Sequence, residues 1–208
     1  PLVFAPCRAL IGFKSDNFKS ALGLRRLPYI FKGTMLQFGG FAIMPFALLV
    51  LSGYGKAAQA PHWIGEVAAA LAFLLVGAGV HMVQTVGLAL ATDLVEEQDQ
   101  PKVVGLMYVS LLAGMILSAF VYGAALETYS PLRLIQVIQG SAVLTVILNG
   151  LAMWKQEARG AKRGQRAQNG FSMSWQRLMA MPHMNRYLWA LGLGTAAFGM
   201  QDIILEPY

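Results

Sequence analysis

Four long segments without a charged side chain constrain this sequence more than any other feature. They cover residues 33–52, 67–92, 103–126 and 134–154. About 20 helical residues cross the roughly 30 Å hydrocarbon core of a bilayer, and a buried helix of a soluble protein seldom runs this far uncharged. The charged fraction of the chain, 12%, is about half that of a typical soluble domain. The sequence therefore predicts an all-α polytopic membrane protein with complete spans at about 29–52, 67–92, 103–126 and 134–154.

Two incomplete apolar segments flank these four spans. Residues 1–10 are typical of the end of a span, and residues 187–208 are typical of the beginning of another, interrupted by Asp202 and Glu206. We therefore expect this chain of 208 residues to be the middle portion of a longer protein. The predicted organisation is residues 1–154 in one helical half, a linker over 155–186, and the start of a second half over 187–208.

The positive charges are concentrated on one side of the predicted spans. Segments 1–32 and 155–186 hold six and seven Lys or Arg residues, and loop 93–102 adds Lys102. The opposite side has only Lys56 and Arg133. By the positive-inside rule, the basic segments 1–32 and 155–186 lie in the cytoplasm. The net charge of +6 is thus explained by membrane topology, and nucleic acid is not expected as a partner.

The predicted linker contains a short amphipathic pattern at about 172–182. Phe171, Trp175, Leu178, Met179 and Pro182 share one face at helical spacing, with polar residues on the other. This pattern is typical of a helix that lies in the membrane interface.

Catalytic and metal-cluster motifs are missing from the sequence. It has neither a Gly-rich phosphate loop with a lysine nor an HExxH motif, and its one cysteine, Cys7, rules out an internal disulfide. We therefore expect a protein that is not an enzyme.

The second complete span carries the densest set of polar side chains. His81, Gln84 and Thr85 fall on one helical face, where they should meet protein or a cavity rather than lipid. A neutral imidazole can ligate a metal, including the magnesium of a chlorophyll-type pigment, or it can hydrogen-bond within the bundle. Both interpretations of His81 stay open at this point, and so do pocket lining and helix packing for Gln84 and Thr85.

Two further groups have alternative interpretations. Asp202 and Glu206 lie four residues apart in the last apolar segment, just after Gln201, and are either functional acids or boundary residues. Ser110, Gly114 and Ser118 recur every four residues in the third span, which favours close packing of a neighbouring helix, either static or moving.

A short loop motif introduces a family resemblance. Gly12-Phe13-Lys14-Ser15-Asp16, followed by Gly23-Leu24-Arg25-Arg26, resembles the cytoplasmic motif between helices two and three of the major facilitator superfamily. The resemblance implies that Gly12 and Gly23 permit tight turns and that Asp16, Arg25 and Arg26 join helix ends. It also implies a major-facilitator-type helix bundle, here from the end of helix two to the start of helix seven.

Longer stretches resemble a narrower branch. Residues 77–93, with 102–108, 133–140, 154–159 and 194–208, are similar to the PucC/LhaA-type light-harvesting assembly proteins of that superfamily. The resemblance implies a membrane assembly factor that delivers bacteriochlorophyll to the light-harvesting alpha and beta polypeptides of a phototrophic bacterium. His81 would then be a candidate magnesium ligand, Gln84 and Thr85 would line its pocket, and Gln201, Asp202 and Glu206 would orient or gate it.

The same resemblance implies further partners and a location. The reaction-centre core complex, pigment-synthesis enzymes and membrane lipid are expected partners, in the cytoplasmic or the intracytoplasmic photosynthetic membrane. Two alternatives remain: a secondary transporter coupled through Asp202, and a scaffold that needs no pigment.

Overall fold

A computed structural model of the chain describes residues 4–18, 23–53, 59, 61–156 and 170–205. Within them it contains α1 (Phe4–Asn17), α2 (Leu27–Leu51), α3 (His62–Asp93), a 3-10 helix (Glu97–Asp99), α4 (Gln100–Ala125), α5 (Pro131–Met153), α6 (Phe171–Met179) and α7 (Met184–Leu205). The predicted all-α class is confirmed. The chain forms two compact units, residues 1–163 and 164–208.

Helices α2 to α5 are the four predicted membrane spans. They contain 25, 32, 26 and 23 residues, which at about 1.5 Å per residue makes each longer than the roughly 30 Å hydrocarbon core. Their ends extend past the charge-free windows. For example, α3 begins at His62, and its first turns include Glu66, whose Oε1 lies 3.2 Å from His62 Nδ1. Charged residues are tolerated there because the ends of a long helix reach the aqueous interface.

Helix α1 continues seven residues beyond the boundary predicted at residue 10. Its last turns are polar but still helical, since Ser15 Oγ donates to the Gly12 carbonyl (2.8 Å) and Asn17 Nδ2 donates to the Phe13 carbonyl (2.9 Å). Gly12 and Asp16 therefore lie within the helix. The turn implied by the loop motif is made by Gly23, whose φ of 75° favours glycine.

Helices α2 and α3 form the closest contact in the first unit. A Cβ atom added at Gly40 would lie 2.7 Å from the Ala72 carbonyl oxygen, and one added at Gly79 would collide with the Gly33 carbonyl oxygen. The two backbones can approach this closely only because these positions lack side chains.

Helix α5 also packs against α2. Asn149 Nδ2 donates to Thr34 Oγ1 at 3.0 Å, and Thr34 Oγ1 in turn donates to the Ile30 carbonyl at 2.9 Å. Thr34 is only 1% exposed. This polar contact joins the first and last spans of the unit.

Helix α4 differs from its neighbours because none of its residues is buried within the described part of the chain. Ser110, Gly114 and Ser118 are exposed, and a Cβ added at Gly114 would meet nothing within 4 Å among the described residues. The helix packing expected of this small-residue face therefore stays a prediction.

The second unit contains the amphipathic helix and the start of the last apolar segment. Helix α6 ends at Met179, short of the predicted residue 182, because Pro182 follows and His183 adopts a left-handed conformation with φ of 66°. The rings of Phe171 and Trp175 stack with centroids 6.3 Å apart, so the apolar face begins with a paired aromatic surface.

Candidate functional site

An ion-pair layer joins one end of α1, α2 and α3. It consists of Asp16, Arg25, Arg26 and Asp93. Arg26 donates through its Nε to Asp93 Oδ2 at 2.7 Å, and its NH1 lies 2.9 Å from Asp16 Oδ1. Arg25 NH2 donates to the same Asp93 oxygen at 3.1 Å. The Arg26 side chain is 8% exposed, and its charge is balanced by two carboxylates whose side chains are 52% and 39% exposed.

This layer brings together three residues of the loop motif, Asp16, Arg25 and Arg26. Its fourth member, Asp93, was missed as a site residue. The sequence held a signal for it, because Asp93 is the first charge after the 26 uncharged residues 67–92. Gly12 does not belong to the layer; a Cβ added there would make ordinary contact with Thr85 Cγ2 at 3.8 Å.

A second polar group, which we call the deep polar cluster, lies on α1 and α3, about two helical turns from the ion-pair layer. It consists of Arg8, His81 and Thr85. Arg8 Nε on α1 donates to Thr85 Oγ1 on α3 at 3.0 Å. All three side chains are partly buried, and His81 lies one helical turn from Thr85 on the same face. Arg8 was not among the predicted site residues, because its partner is 77 positions away in sequence.

The remaining predicted site residues are Gln84, Gln201, Asp202 and Glu206. Gln84, on α3 between His81 and Thr85, is exposed. Gln201 and Asp202 lie within α7, in the second unit, and Glu206 lies outside the described residues. A shared site of these acids with His81 stays a prediction.

Metal-ligating side chains are not clustered in the part of the chain that the structure describes. There, no group of three or more His, Cys, Asp and Glu residues is arranged to hold a metal ion. A single axial ligand to the magnesium of a pigment requires no such group, so this role of His81 stays a prediction.

The helices and the two polar groups define the chain as part of a polytopic α-helical membrane protein with charged side chains joined across its helices. The chain belongs to the family described as PUCC protein, which matches residues 1–208.

Curated relatives match the whole chain. It is 64% identical to Protein PucC of Rhodobacter capsulatus, over 100% of this chain and 46% of the relative. It is 60% identical to Protein PucC of Rhodovulum sulfidophilum, over 100% of this chain and 47% of the relative. The chain thus spans just under half the length of these relatives.

A more distant relative carries a descriptive name. The chain is 27% identical to the Bacteriochlorophyll synthase 44.5 kDa chain of Rhodobacter capsulatus, over 81% of this chain and 41% of the relative. No solved structure matches the chain.

Proposed function

We propose that this chain is part of a non-enzymatic assembly factor for bacterial light-harvesting complexes, which binds bacteriochlorophyll and delivers it to the antenna polypeptides. Membership of the PUCC family supports the assembly role, and the name of the distant relative connects the family to this pigment. In this proposal the protein has a major-facilitator-type bundle and lies in the cytoplasmic or intracytoplasmic photosynthetic membrane, with its basic segments in the cytoplasm.

The observation that carries the pigment-binding part is the position of His81. It is a partly buried imidazole in the middle of a 32-residue apolar helix, one turn from the Arg8–Thr85 hydrogen bond. Polar groups within a membrane span are expensive and usually serve function. The residues fit the pigment chemically, because imidazole nitrogen can ligate magnesium and hydroxyl or guanidinium groups can donate to ring carbonyls.

Each predicted site residue has a role in this proposal. His81 supplies the axial nitrogen, and Thr85 and Gln84 line the pocket on the same helix. Gln201, Asp202 and Glu206 of the last apolar segment are the proposed orienting or gating residues. Bound pigment would supply light absorption and its own carbonyl groups, while the protein binds it, orients it and excludes water. The antenna alpha and beta polypeptides, the reaction-centre core complex, pigment-synthesis enzymes and membrane lipid are the proposed partners.

The test compares two histidines of the same helix in the complete protein. His81→Ala should lower the pigment bound per purified protein by about tenfold or more, as loss of a metal ligand does. Antenna absorption of intact cells should fall with it. His62→Ala is the matched control, because His62 is exposed at the start of α3, where its ring lies beside Glu66.

Two results would contradict this proposal. A purified protein without pigment, with normal antenna assembly in the His81→Ala strain, would favour the scaffold. Substrate-dependent flux in liposomes that is lost in Asp202→Asn would favour the secondary transporter.

A further inference from the structure

Arg8 is a partly buried cation to which the proposed function assigns no individual role. It precedes Asp16 of the ion-pair layer by eight residues on α1, and Thr85 precedes Asp93 by eight residues on α3. At about 1.5 Å per residue, both helices place the Arg8–Thr85 hydrogen bond roughly 12 Å from that layer. Both helices therefore place Arg8 on the apolar side of the ion-pair layer, beside the uncharged segment 67–92 of α3.

The partner of Arg8 differs from those of the other arginines on this side. Arg25 and Arg26 bind carboxylate oxygens at 2.7 to 3.1 Å. Among the ion pairs of the described residues none includes Arg8, whose contact is the neutral hydroxyl of Thr85. A guanidinium has five N–H donors, and this bond uses the one on Nε. A cation beside apolar helices is stabilised by an acceptor that carries negative charge or a strong dipole.

Thr85 holds the guanidinium in a fixed position. Its hydroxyl accepts from Nε, which directs the planar group. The two terminal nitrogens have the geometry for a bidentate contact, and no ion pair among the described residues involves them. His81 lies one turn farther from the ion-pair layer, at about 6 Å along the axis of α3. A flat ligand that is bound at its centre by His81 would thus present its edge at the depth of Arg8.

We propose that Arg8, positioned by Thr85, is a second anchor of the ligand site and binds a carbonyl or carboxylate oxygen at the edge of the ligand. This inference rests on the proposed function for the identity of the ligand, bacteriochlorophyll, whose ring carries keto and ester carbonyl groups. Arg8 is a binding residue and Thr85 a positioning residue in this site.

The experiment titrates the complete protein in detergent with bacteriochlorophyll and records the infrared carbonyl band of the bound pigment. Arg8→Gln should raise the dissociation constant by about 10- to 100-fold, the value of a charge-assisted hydrogen bond. It should also move the carbonyl band to higher frequency, because a hydrogen bond weakens the C=O bond. Thr85→Val keeps the shape of the side chain and should raise the constant about threefold to tenfold, with Thr85→Ser restoring it.

The control removes the same charge elsewhere. Arg133 lies at the start of α5, where its Nε donates to the Ala125 carbonyl. Arg133→Gln should change neither the dissociation constant for the pigment nor the carbonyl band. All variants are compared by elution profile and melting temperature, which identify a misfolded variant. If Arg8→Gln is misfolded, the comparison of Thr85→Val with Thr85→Ser tests the proposal.

Two failures can be told apart. If the unmodified protein binds bacteriochlorophyll and folded Arg8→Gln binds it equally with an unchanged band, the anchor is refuted and the pigment site stands. If the unmodified protein binds no bacteriochlorophyll, the proposed function fails and the anchor with it.

Discussion

The contact between α2 and α3 and the surface of α4 are made from similar sequence but have opposite environments. All three helices are long, apolar and free of charge through their middle. Yet the first two meet backbone to backbone at Gly33, Gly40 and Gly79, whereas α4 has no buried residue in the described part of the chain. The apolar composition of a segment therefore predicts that it spans the membrane. Which helix it packs against depends on where small residues of two helices face each other.

The largest effect is expected for Gly79→Ala, at the centre of the close contact. The added Cβ would collide with the Gly33 carbonyl, so α2 and α3 must separate, and we expect a loss of about 2–3 kcal/mol of stability. Thermal unfolding of the purified protein measures it. Gly87→Ala, eight residues farther along α3 with nothing described within 4 Å, should be neutral or slightly stabilising because alanine favours helix. Equal effects of the two substitutions would contradict the close contact.

The next largest effect is expected at the end of the same contact. Arg26→Met leaves Asp16 and Asp93 without their shared cation and should cost about 1–2 kcal/mol, since the arginine is buried but both carboxylates are partly exposed. Arg25→Met is the control, because the Arg25 side chain is 31% exposed and solvent screens its ion pair with Asp93, which predicts about 0.5 kcal/mol. Thermal unfolding at low and high salt measures both. A larger loss in Arg25→Met would show that Arg26 is not the central cation of the ion-pair layer.

The smallest effect concerns the exposed surface of α4. Ser110, Gly114 and Ser118 are predicted to receive a neighbouring helix, so Gly114→Leu should lower the stability of the complete protein by about 0.5–1 kcal/mol. Gly105→Leu is matched to it, because nine residues at about 100° each place Gly105 on the opposite face, and neither glycine has a described neighbour within 4 Å. Identical melting temperatures for the two variants would show that the small-residue face is not special.

The membrane spans were predictable from the sequence because a helix of about 20 uncharged, mostly apolar residues is seldom stable in water. Their ends were less predictable, since Glu66 and Asp16 lie in helical turns that extend past the uncharged windows. The sequence predicted close helix packing at the small residues of α4. The close contact in the structure is instead between Gly33 and Gly79, and no local sequence pattern shows that these two glycines face each other.

The candidate site was predictable in part. His81 and Thr85 stood out because polar residues are rare in spans, and Asp16, Arg25 and Arg26 stood out through a family motif. Arg8 and Asp93 are their partners across helices, at separations of 67 to 77 residues for the direct hydrogen bonds. Such pairings depend on the register between helices, which only the structure provides.

The hydrogen bond between Asn149 and Thr34 has a consequence for the order of folding. Its two residues are 115 positions apart, so at roughly 5–20 residues per second a ribosome needs about 6–23 s to supply the second after the first. During that interval Thr34 can donate to the carbonyl of Ile30 on its own helix, and α2 can already pack on α3. The hairpin of α2 and α3 thus forms before α5 is synthesised, and α5 packs against it afterwards. The Thr34 hydroxyl has an acceptor both before and after α5 binds.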